Sequence, residues 1–192
     1  MRTGLIVAGL AASLASTAAE AEADEVAELA AEGQALMMSF GAALKSALLD
    51  AIEAGGPVNA IAVCNTKAPE IAAKLSTGSW TVARSSHRLR NPENAPDAFT
   101  AEAVEAFLAR EAAGAPVEGL SATGIIDKSG QRVFHMVKAI PTAELCVTCH
   151  GGDTVKPPVE AKLAELYPQD RARGFAVGDM RGVFTLRKIL SD

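Results

Sequence analysis

The chain has 192 residues and a formal net charge of −5, from 18 Lys and Arg and 23 Asp and Glu residues. The acidic balance argues against nucleic-acid binding, and the length suffices for one domain with a hydrophobic core. No internal repeat and no long linker divides the chain, so residues 22–192 are expected to form a single domain.

The N-terminus has the features of a secretory signal, predicted over residues 1–21. Arg2 supplies the positive charge, and the apolar run over residues 4–14 is too short to span a bilayer as a permanent helix. Small residues follow, and cleavage near Ala19 or Ala21 fits the preferred pattern. An uncleaved membrane anchor is the alternative. Either outcome places the domain outside the cytoplasm, and we expect a periplasmic protein with no second stretch long enough to span a membrane.

The first helix of the domain is predicted over residues 24–54. Its apolar residues recur in steps of three and four and so form one face: Val26, Leu29, Gly33, Leu36, Met37, Phe40, Leu44, Leu48 and Ile52. Gly55 and Gly56 are expected to end this helix. Pro57 is expected to begin another, because proline is tolerated at a first helical position.

The second helix, predicted over residues 57–76, carries an isolated cysteine, Cys64. Pro69 cannot donate a hydrogen bond to the carbonyl group of Asn65. A kink or a break is therefore expected just after Cys64, with Thr66 as the cap of a restarted helix. Cys64 shares a face with small and apolar residues, so we expect it to point inward or toward a bound group.

The second half of the chain is predicted to be rich in strands. Its predicted elements are a strand (79–86), a loop of turn-forming residues (87–99), a helix (100–114), a hairpin around the turn 128–131 (117–140), a short helix (159–168) and a strand (181–190). Helices that precede a strand-rich half indicate an α+β fold, in which helices pack on an antiparallel sheet.

Two of the three cysteines and one of the three histidines lie in the segment ELCVTCHGG, residues 144–152. The spacing C-x-x-C-H, formed by Cys146, Cys149 and His150, is typical of covalent haem attachment. Two thiols add to the two vinyl groups of the haem, and the adjacent imidazole binds its iron from one face. This chemistry takes place outside the cytoplasm in bacteria, in agreement with the predicted signal.

Three other interpretations of these cysteines stay open. A redox dithiol also uses C-x-x-C, but it does not require a histidine directly after the second cysteine. A simple disulfide would suit an oxidising compartment. A zinc site would need Cys64, Cys146, Cys149 and His150 together, whereas zinc modules usually bring their ligands in local pairs.

The sixth ligand of the iron would come from Cys64, His87, His135, Met136 or Met180, or would be absent. His135 and Met136 are neighbours in a strand and face opposite ways, so at most one of them can reach the iron. Met136 is expected in the core. Cys64 is a free thiol in an exported chain, and a thiolate ligand would lower the reduction potential.

Three arginines, Arg84, Arg88 and Arg90, form a basic cluster in this acidic chain. One interpretation is a solvated loop. The other is that their guanidinium groups hold the haem propionates through bidentate, charge-assisted hydrogen bonds.

With these features together, the sequence resembles the family of c-type haem domains with a PAS-like fold, first described in cyanobacteria and long catalogued as a domain of unknown function. Four segments carry the resemblance: AIAVCNTKAPEIA, VARSSHRLRNPENAPD, CVTCHG and YPQDRARGFAVGDMRGVF. The resemblance as a whole extends over nearly the entire mature chain. Four motifs in order and at compatible spacing are far more specific than C-x-x-C-H alone.

The resemblance implies one covalent haem c against a PAS-like antiparallel sheet flanked by helices, with a long N-terminal helix. It also implies that His150 and Cys64 are the axial ligands and that Cys146 and Cys149 are the thioether anchors. Family members are also found fused to signalling modules. No such module is present in this sequence, so sensing would need a separate partner.

Two filled axial positions would give low-spin iron without an open site, and enzymatic activity is therefore not expected. We expect a periplasmic monohaem c-type cytochrome that transfers single electrons at low potential. The alternative is a haem-based redox or diatomic-gas sensor, in which a ligand such as NO displaces Cys64 and moves the kinked helix. The expected partner is a redox or signalling protein, and a homodimer is left open.

Overall fold

The computed structural model describes residues 8–190, with side chains from Glu20 onward. The predicted signal peptide lies largely outside these described side chains, so it stays a prediction, as does the domain boundary that follows it. The helices are α1 (Ala8–Leu75), α2 (Ala98–Ala112), α3 (Glu144–His150) and α4 (Pro157–Leu166). The strands are β1 (Trp80–Ser85), β2 (Ser121–Lys128), β3 (Gln131–Pro141) and β4 (Met180–Ile189).

The four strands form one antiparallel sheet in the order β1-β4-β3-β2, so the last strand lies between β1 and β3. The predicted hairpin is confirmed: β2 and β3 join through Ser129 and Gly130, with φ of 59° and 79°. Positive φ at both central residues gives a tight turn whose twist matches that of the strands. Two short 3-10 turns precede α2 and β2, at Pro92–Asn94 and Val117–Gly119. The α+β prediction, with helices flanking an antiparallel sheet and a long N-terminal helix, is confirmed.

Alternation along the strands divides the core between two faces of the sheet. One face packs against α1 through Phe40, Trp80, Phe134, Met136 and Leu186. The opposite face packs against α2 through Val104, Phe107, Val137, Met180 and Val183. The face covered by α1 extends, at the Ser85 end of β1, into the cavity described below.

Helix α1 is interrupted at Gly55 and Gly56, where the sequence predicted the end of the first helix. Gly55 has φ −168° and ψ 20°, and Gly56 has φ 73° and ψ −175°. A positive φ at Gly56 is open to glycine without steric strain. The chain is helical again from Pro57 to Leu75, so the segment that carries Cys64 has its own direction.

Of the two outcomes predicted after Cys64, a kink or a break, the break is wrong. Within the described part of α1, only Gly55 and Gly56 have non-helical dihedral angles, and the helix continues through Pro69. Thr66 donates its Oγ1 hydrogen to the carbonyl oxygen of Val63 at 3.2 Å instead of capping a new helix. Burial of Ala68 against the rest of the fold offsets the hydrogen bond that Pro69 removes.

One part of α1, within Glu20–Leu75, is long and apolar enough to cross a membrane by length and hydropathy alone. The expectation that no second stretch spans a membrane stays a prediction. The same helix contributes Met37 and Phe40 to the core of the sheet, and core helices also meet these criteria.

Candidate cofactor site

A cavity of about 440 Å³ lies between α1, the Ser85 end of β1, the start of β4 and the motif helix α3. Volumes of about 300–1,000 Å³ are typical of small-molecule and cofactor sites. Cys64, Cys146, Cys149 and His150 all line it, although Cys64 lies far from the others in sequence. The fold therefore brings together the two anchors and the two axial ligands that the family resemblance implies.

The motif lies on the seven-residue helix α3. Cys146 and Cys149 are three positions apart on this helix, so their side chains project from the same side. The three cysteines are free thiols. Among the described residues, no group of three His, Cys, Asp or Glu side chains is arranged to hold a metal ion.

Backbone hydrogen bonds attach α3 to two neighbouring loops. The carbonyl oxygens of His150 and Gly151 accept from the N–H groups of Phe175 and Gly174, at 3.0 Å and 2.9 Å. The N–H group of Arg171 donates to the carbonyl oxygen of Leu89 at 2.8 Å. The segment before β4 thus connects the motif to the arginine loop.

The imidazole of His150 is positioned through its Nδ1 atom, which lies 2.9 Å from the carbonyl oxygen of Ala172. A carbonyl at this distance accepts a hydrogen bond from Nδ1–H, so the neutral ring presents Nε2 as its unprotonated nitrogen. Burial lowers the pKa of His150 well below its usual value, and Arg90 and Arg181 lower it further. The ring is therefore neutral near pH 7, the form in which histidine binds a metal.

Cys64 lies on the second segment of α1, half-buried at the cavity wall. Burial raises the pKa of its thiol, while the charges of Arg84 and Arg90 lower it. The net shift is upward, so Cys64 is a protonated thiol near pH 7 unless a cation binds at its sulfur.

Arg84 is the arginine of the predicted cluster that best fits an anion-binding role. It lies on β1, lines the cavity, and has no hydrogen bond or ion pair to a carboxylate in the described part of the chain. Burial lowers the pKa of its guanidinium. A guanidinium enclosed without a counter-ion is unfavourable, so an anionic group in the cavity would stabilise it.

Arg181, at the start of β4, is a fourth arginine in the cavity, and sequence reasoning missed it. Burial lowers its pKa to about 10, with the charge of Arg84 as the next cause, while a hydrogen bond to Cys146 opposes the shift. Like Arg84, it has no carboxylate partner among the described residues. One feature of the sequence could have identified Arg181, because it is a basic residue at the start of a predicted core strand. Its neighbour Met180 was considered as a ligand instead.

The guanidinium group of Arg90 is engaged in hydrogen bonds within the protein. Its Nε donates to Asp170 at 3.1 Å, and its Nη2 donates to the carbonyl oxygens of Cys149 and Ala172, at 2.6 Å and 3.2 Å. Its Nη1 is 3.4 Å from Nε2 of His150. Arg90 therefore holds the backbone on both sides of the motif histidine.

Arg88 is exposed at the edge of the cavity. Its Nη1 donates to the carbonyl oxygen of Arg173 at 2.9 Å, and its guanidinium lies 4.7 Å from the centre of the Phe175 ring. The three arginines of the predicted cluster thus have three different environments, and within residues 20–190 Arg84 alone among them makes no hydrogen bond or ion pair.

The remaining candidates for the sixth ligand do not line the cavity. Met136, Met180 and His135 are buried in the core, and His135 stacks on Phe99 with ring centres 4.5 Å apart. His87 packs against Phe175, with ring centres 5.7 Å apart. Among the candidates considered, the structure places only Cys64 at the cavity together with His150.

Comparison with known proteins agrees with the geometry. No curated protein matches the chain. A solved structure described as the cyanobacterial heme-protein Tll0287 is 25% identical, with a TM-score of 0.57, and the match covers 84% of this chain and 97% of that one. A family model, described as Tll0287-like, matches residues 11–188. The chain therefore belongs to the Tll0287-like family.

Proposed function

We propose that this protein is an exported, monohaem c-type cytochrome that transfers single electrons at low potential. The observation that carries the proposal is the meeting of Cys64, Cys146, Cys149 and His150 at one cavity of cofactor size. Kinship with a protein described as a heme-protein supports the same cofactor. The predicted signal over residues 1–21 is the basis for the periplasmic location.

In this proposal, Cys146 and Cys149 anchor the cofactor through two thioether bonds, and Nε2 of His150 is one axial ligand. Ala172 accepts the hydrogen bond of Nδ1–H and so keeps the ring in the required tautomer. The guanidinium groups of Arg84 and Arg181 bind the two propionates, which supply the anionic partners that both arginines lack.

Cys64 is the proposed second axial ligand. Its half-buried thiol would release its proton to solvent on binding ferric iron, and the nearby Arg84 and Arg90 favour the thiolate. When bound, the haem supplies a one-electron ferric/ferrous couple. A thiolate ligand lowers its potential, and propionates neutralise much of the opposing effect of Arg84 and Arg181. With both axial positions filled, outer-sphere electron transfer needs no open site.

A sensor is the second candidate function, and the break at Gly55 and Gly56 favours it. Release of Cys64 from the iron would free the segment from Pro57 to Leu75 to change its direction relative to the rest of α1. A ferrous protein that binds CO or NO rapidly supports sensing. One that keeps six-coordinate, low-spin bands and ignores CO supports electron transfer.

The experiment that tests the proposal begins with expression in a host that matures c-type cytochromes. Intact mass should exceed that of the processed chain by one haem, and a colourless protein of polypeptide mass alone would refute the proposal. The substitution Cys64→Ala should then convert the ferric spectrum from low-spin to high-spin or water-ligated.

Met136→Leu is the matched control, because Met136 was a candidate ligand that lies in the core. Its ferric spectrum should equal that of the wild type. An unchanged spectrum in Cys64→Ala would refute the assignment of Cys64 while leaving covalent attachment intact.

A further inference from the structure

The cavity is lined by cations and by no carboxylate. None of its lining residues is Asp or Glu. Six of them are basic: Lys45, Lys67, Arg84, Arg88, Arg90 and Arg181. The chain as a whole carries a net charge of −5. Positive charge is therefore concentrated at one place on an acidic protein, and such a concentration attracts anionic partners.

The cofactor and the protein do not neutralise all of these cations. Asp170 compensates Arg90 at 3.1 Å, and Glu70 contacts Lys67 at 2.7 Å. Two propionates would compensate Arg84 and Arg181. Lys45 and Arg88 then remain, with no carboxylate within ion-pair distance in the part of the chain that the structure describes.

The pair between Lys67 and Glu70 contributes little neutralisation at the surface. Both side chains are more than half exposed, and exposed pairs are screened by water and salt. The mouth of the cavity therefore carries excess positive charge even when its interior is filled.

The exposed cations mark this mouth, and an apolar stripe of α1 lies beside it. Lys45, Lys67 and Arg88 line the cavity and are solvent-exposed. Met38 and Leu49, which are 65% and 44% exposed, lie seven residues before and four after Lys45, and so share its helix face. Exposed apolar side chains next to charged ones are found at transient protein interfaces.

We propose that this mouth, formed by Lys45, Lys67, Arg88, Met38 and Leu49, docks an acidic single-electron carrier protein. The inference rests on the proposed function. One electron passes from the reduced carrier, which is oxidised, to the ferric centre, which becomes ferrous, and no proton or other group moves. Complementary charge selects an acidic carrier over a basic one and increases the rate of encounter.

Two acidic residues on the same helix, Asp50 and Glu53, are exposed near Leu49 but do not line the cavity. The wall of the cavity itself carries six basic residues and no carboxylate, so positive charge predominates there.

The test uses the haem-loaded protein and a reduced flavodoxin, an acidic one-electron protein, in stopped-flow mixing at several ionic strengths. The wild-type second-order rate constant should fall as ionic strength rises. Lys45→Glu/Lys67→Glu should lower it roughly 10-fold or more at low ionic strength, within the range of electrostatic steering.

The matched control is Arg110→Glu/Lys128→Glu, which changes the net charge equally. Arg110 is exposed on α2, which packs on the face of the sheet opposite α1. Lys128 pairs with Gln131 in the β2–β3 hairpin, at the end of the sheet opposite the cavity. Its rate constant should stay within about twofold of the wild type. Equal slowing in the two variants, or none in either, would overturn the docking site.

Photoreduction by a neutral deazaflavin separates this outcome from failure of the proposed function. The wild type and the control variant should be reduced fully and at equal rates, because a neutral donor does not sense the charge. A wild type that binds no reducible haem would refute the cytochrome assignment itself.

Discussion

Nδ1 of His150 lies 2.9 Å from the carbonyl oxygen of Ala172, across 22 residues of sequence. This contact directs Nε2 away from the protein backbone. The position of Ala172 depends in turn on Asp170, whose Oδ1 accepts from the N–H group of Ala172 at 2.8 Å. The same carboxylate holds Arg90 and Arg173 through Oδ2, at 3.1 Å and 3.2 Å.

Asp170→Asn should therefore lower the free energy of unfolding by about 2–4 kcal/mol, because it leaves the half-buried Arg90 without its counter-charge. Urea unfolding followed by haem absorbance measures the change. Asp153→Asn, at an exposed position, should stay within about 0.5 kcal/mol of the wild type. Equal unfolding midpoints for Asp170→Asn and the wild type would contradict the role given to Asp170.

Arg84→Gln and Arg181→Gln should each lower the reduction potential, because a nearby cation favours the ferrous state. An interaction of one kcal/mol corresponds to roughly 40 mV for a single electron, so shifts on the order of 20–60 mV are expected. Spectroelectrochemical titration measures them. Arg110→Gln, on the exposed side of α2, is the control and should not shift the potential. Potentials unchanged in both test variants would rule out propionate binding by these arginines.

His135 should make stability depend on pH. Its side chain is fully buried, and burial lowers its pKa to about 4, against an opposing effect from Asp97. Because the unfolded chain binds this proton near pH 6.5 and the folded protein only near pH 4, unfolding takes up a proton between these values. Stability is therefore complete above about pH 6.5 and declines as pH falls toward 4, by up to about 3 kcal/mol.

The measurement is urea unfolding of the haem-loaded protein at pH 7.0, 5.5 and 4.5. His135→Gln retains a group able to contact Thr185, whose Oγ1 lies 2.8 Å from Nε2 of His135. This variant should lose less stability than the wild type on acidification. Parallel losses in the two proteins would show that His135 does not cause the dependence.

Gly182 allows β4 to approach the end of β1 closely. A Cβ atom there would lie 2.5 Å from the carbonyl oxygen of Ser85, a backbone atom that cannot move alone. Gly182→Ala should cost about 1–3 kcal/mol of stability through this overpacking, and it should disturb the neighbouring Arg181. Thermal unfolding and the haem spectrum measure both effects.

Gly119→Ala is the control, since a Cβ atom at Gly119 meets nothing within 4 Å and its φ is not positive. It should be tolerated. A Gly182→Ala protein as stable as Gly119→Ala would show that the two strands separate at little cost.

Local patterns in the sequence predicted the elements well. The turn of Ser129 and Gly130, the boundary at Gly55 and the alternation of β4 each depend on residues close together in the chain. The break predicted near Pro69 was wrong, because the packing of α1 outweighs the loss of one helical hydrogen bond. That packing involves residues far away in sequence.

The arginines show the same limit. Arg84, Arg88 and Arg90 lie within seven residues of each other in the chain, and each of the two interpretations of the cluster treated all three side chains alike. In the structure, Arg90 binds backbone carbonyls, Arg88 lies on Phe175, and Arg181 joins Arg84 in the cavity. Arg84 and Arg181 are neighbours only because β1 and β4 pair, an arrangement set by strand order.

The sequence by itself determined the motif of Cys146, Cys149 and His150, because all three groups lie within two turns of one helix and need no distant partner to be recognised. It also determined the α+β class, through periodicities that act over a few residues. Only the tertiary structure decided which groups line one cavity with the motif, namely Cys64, Arg84 and Arg181, and which carbonyl contacts His150, that of Ala172. These relationships join segments separated by tens of residues, and the burial of apolar surface across the whole sheet brings them together.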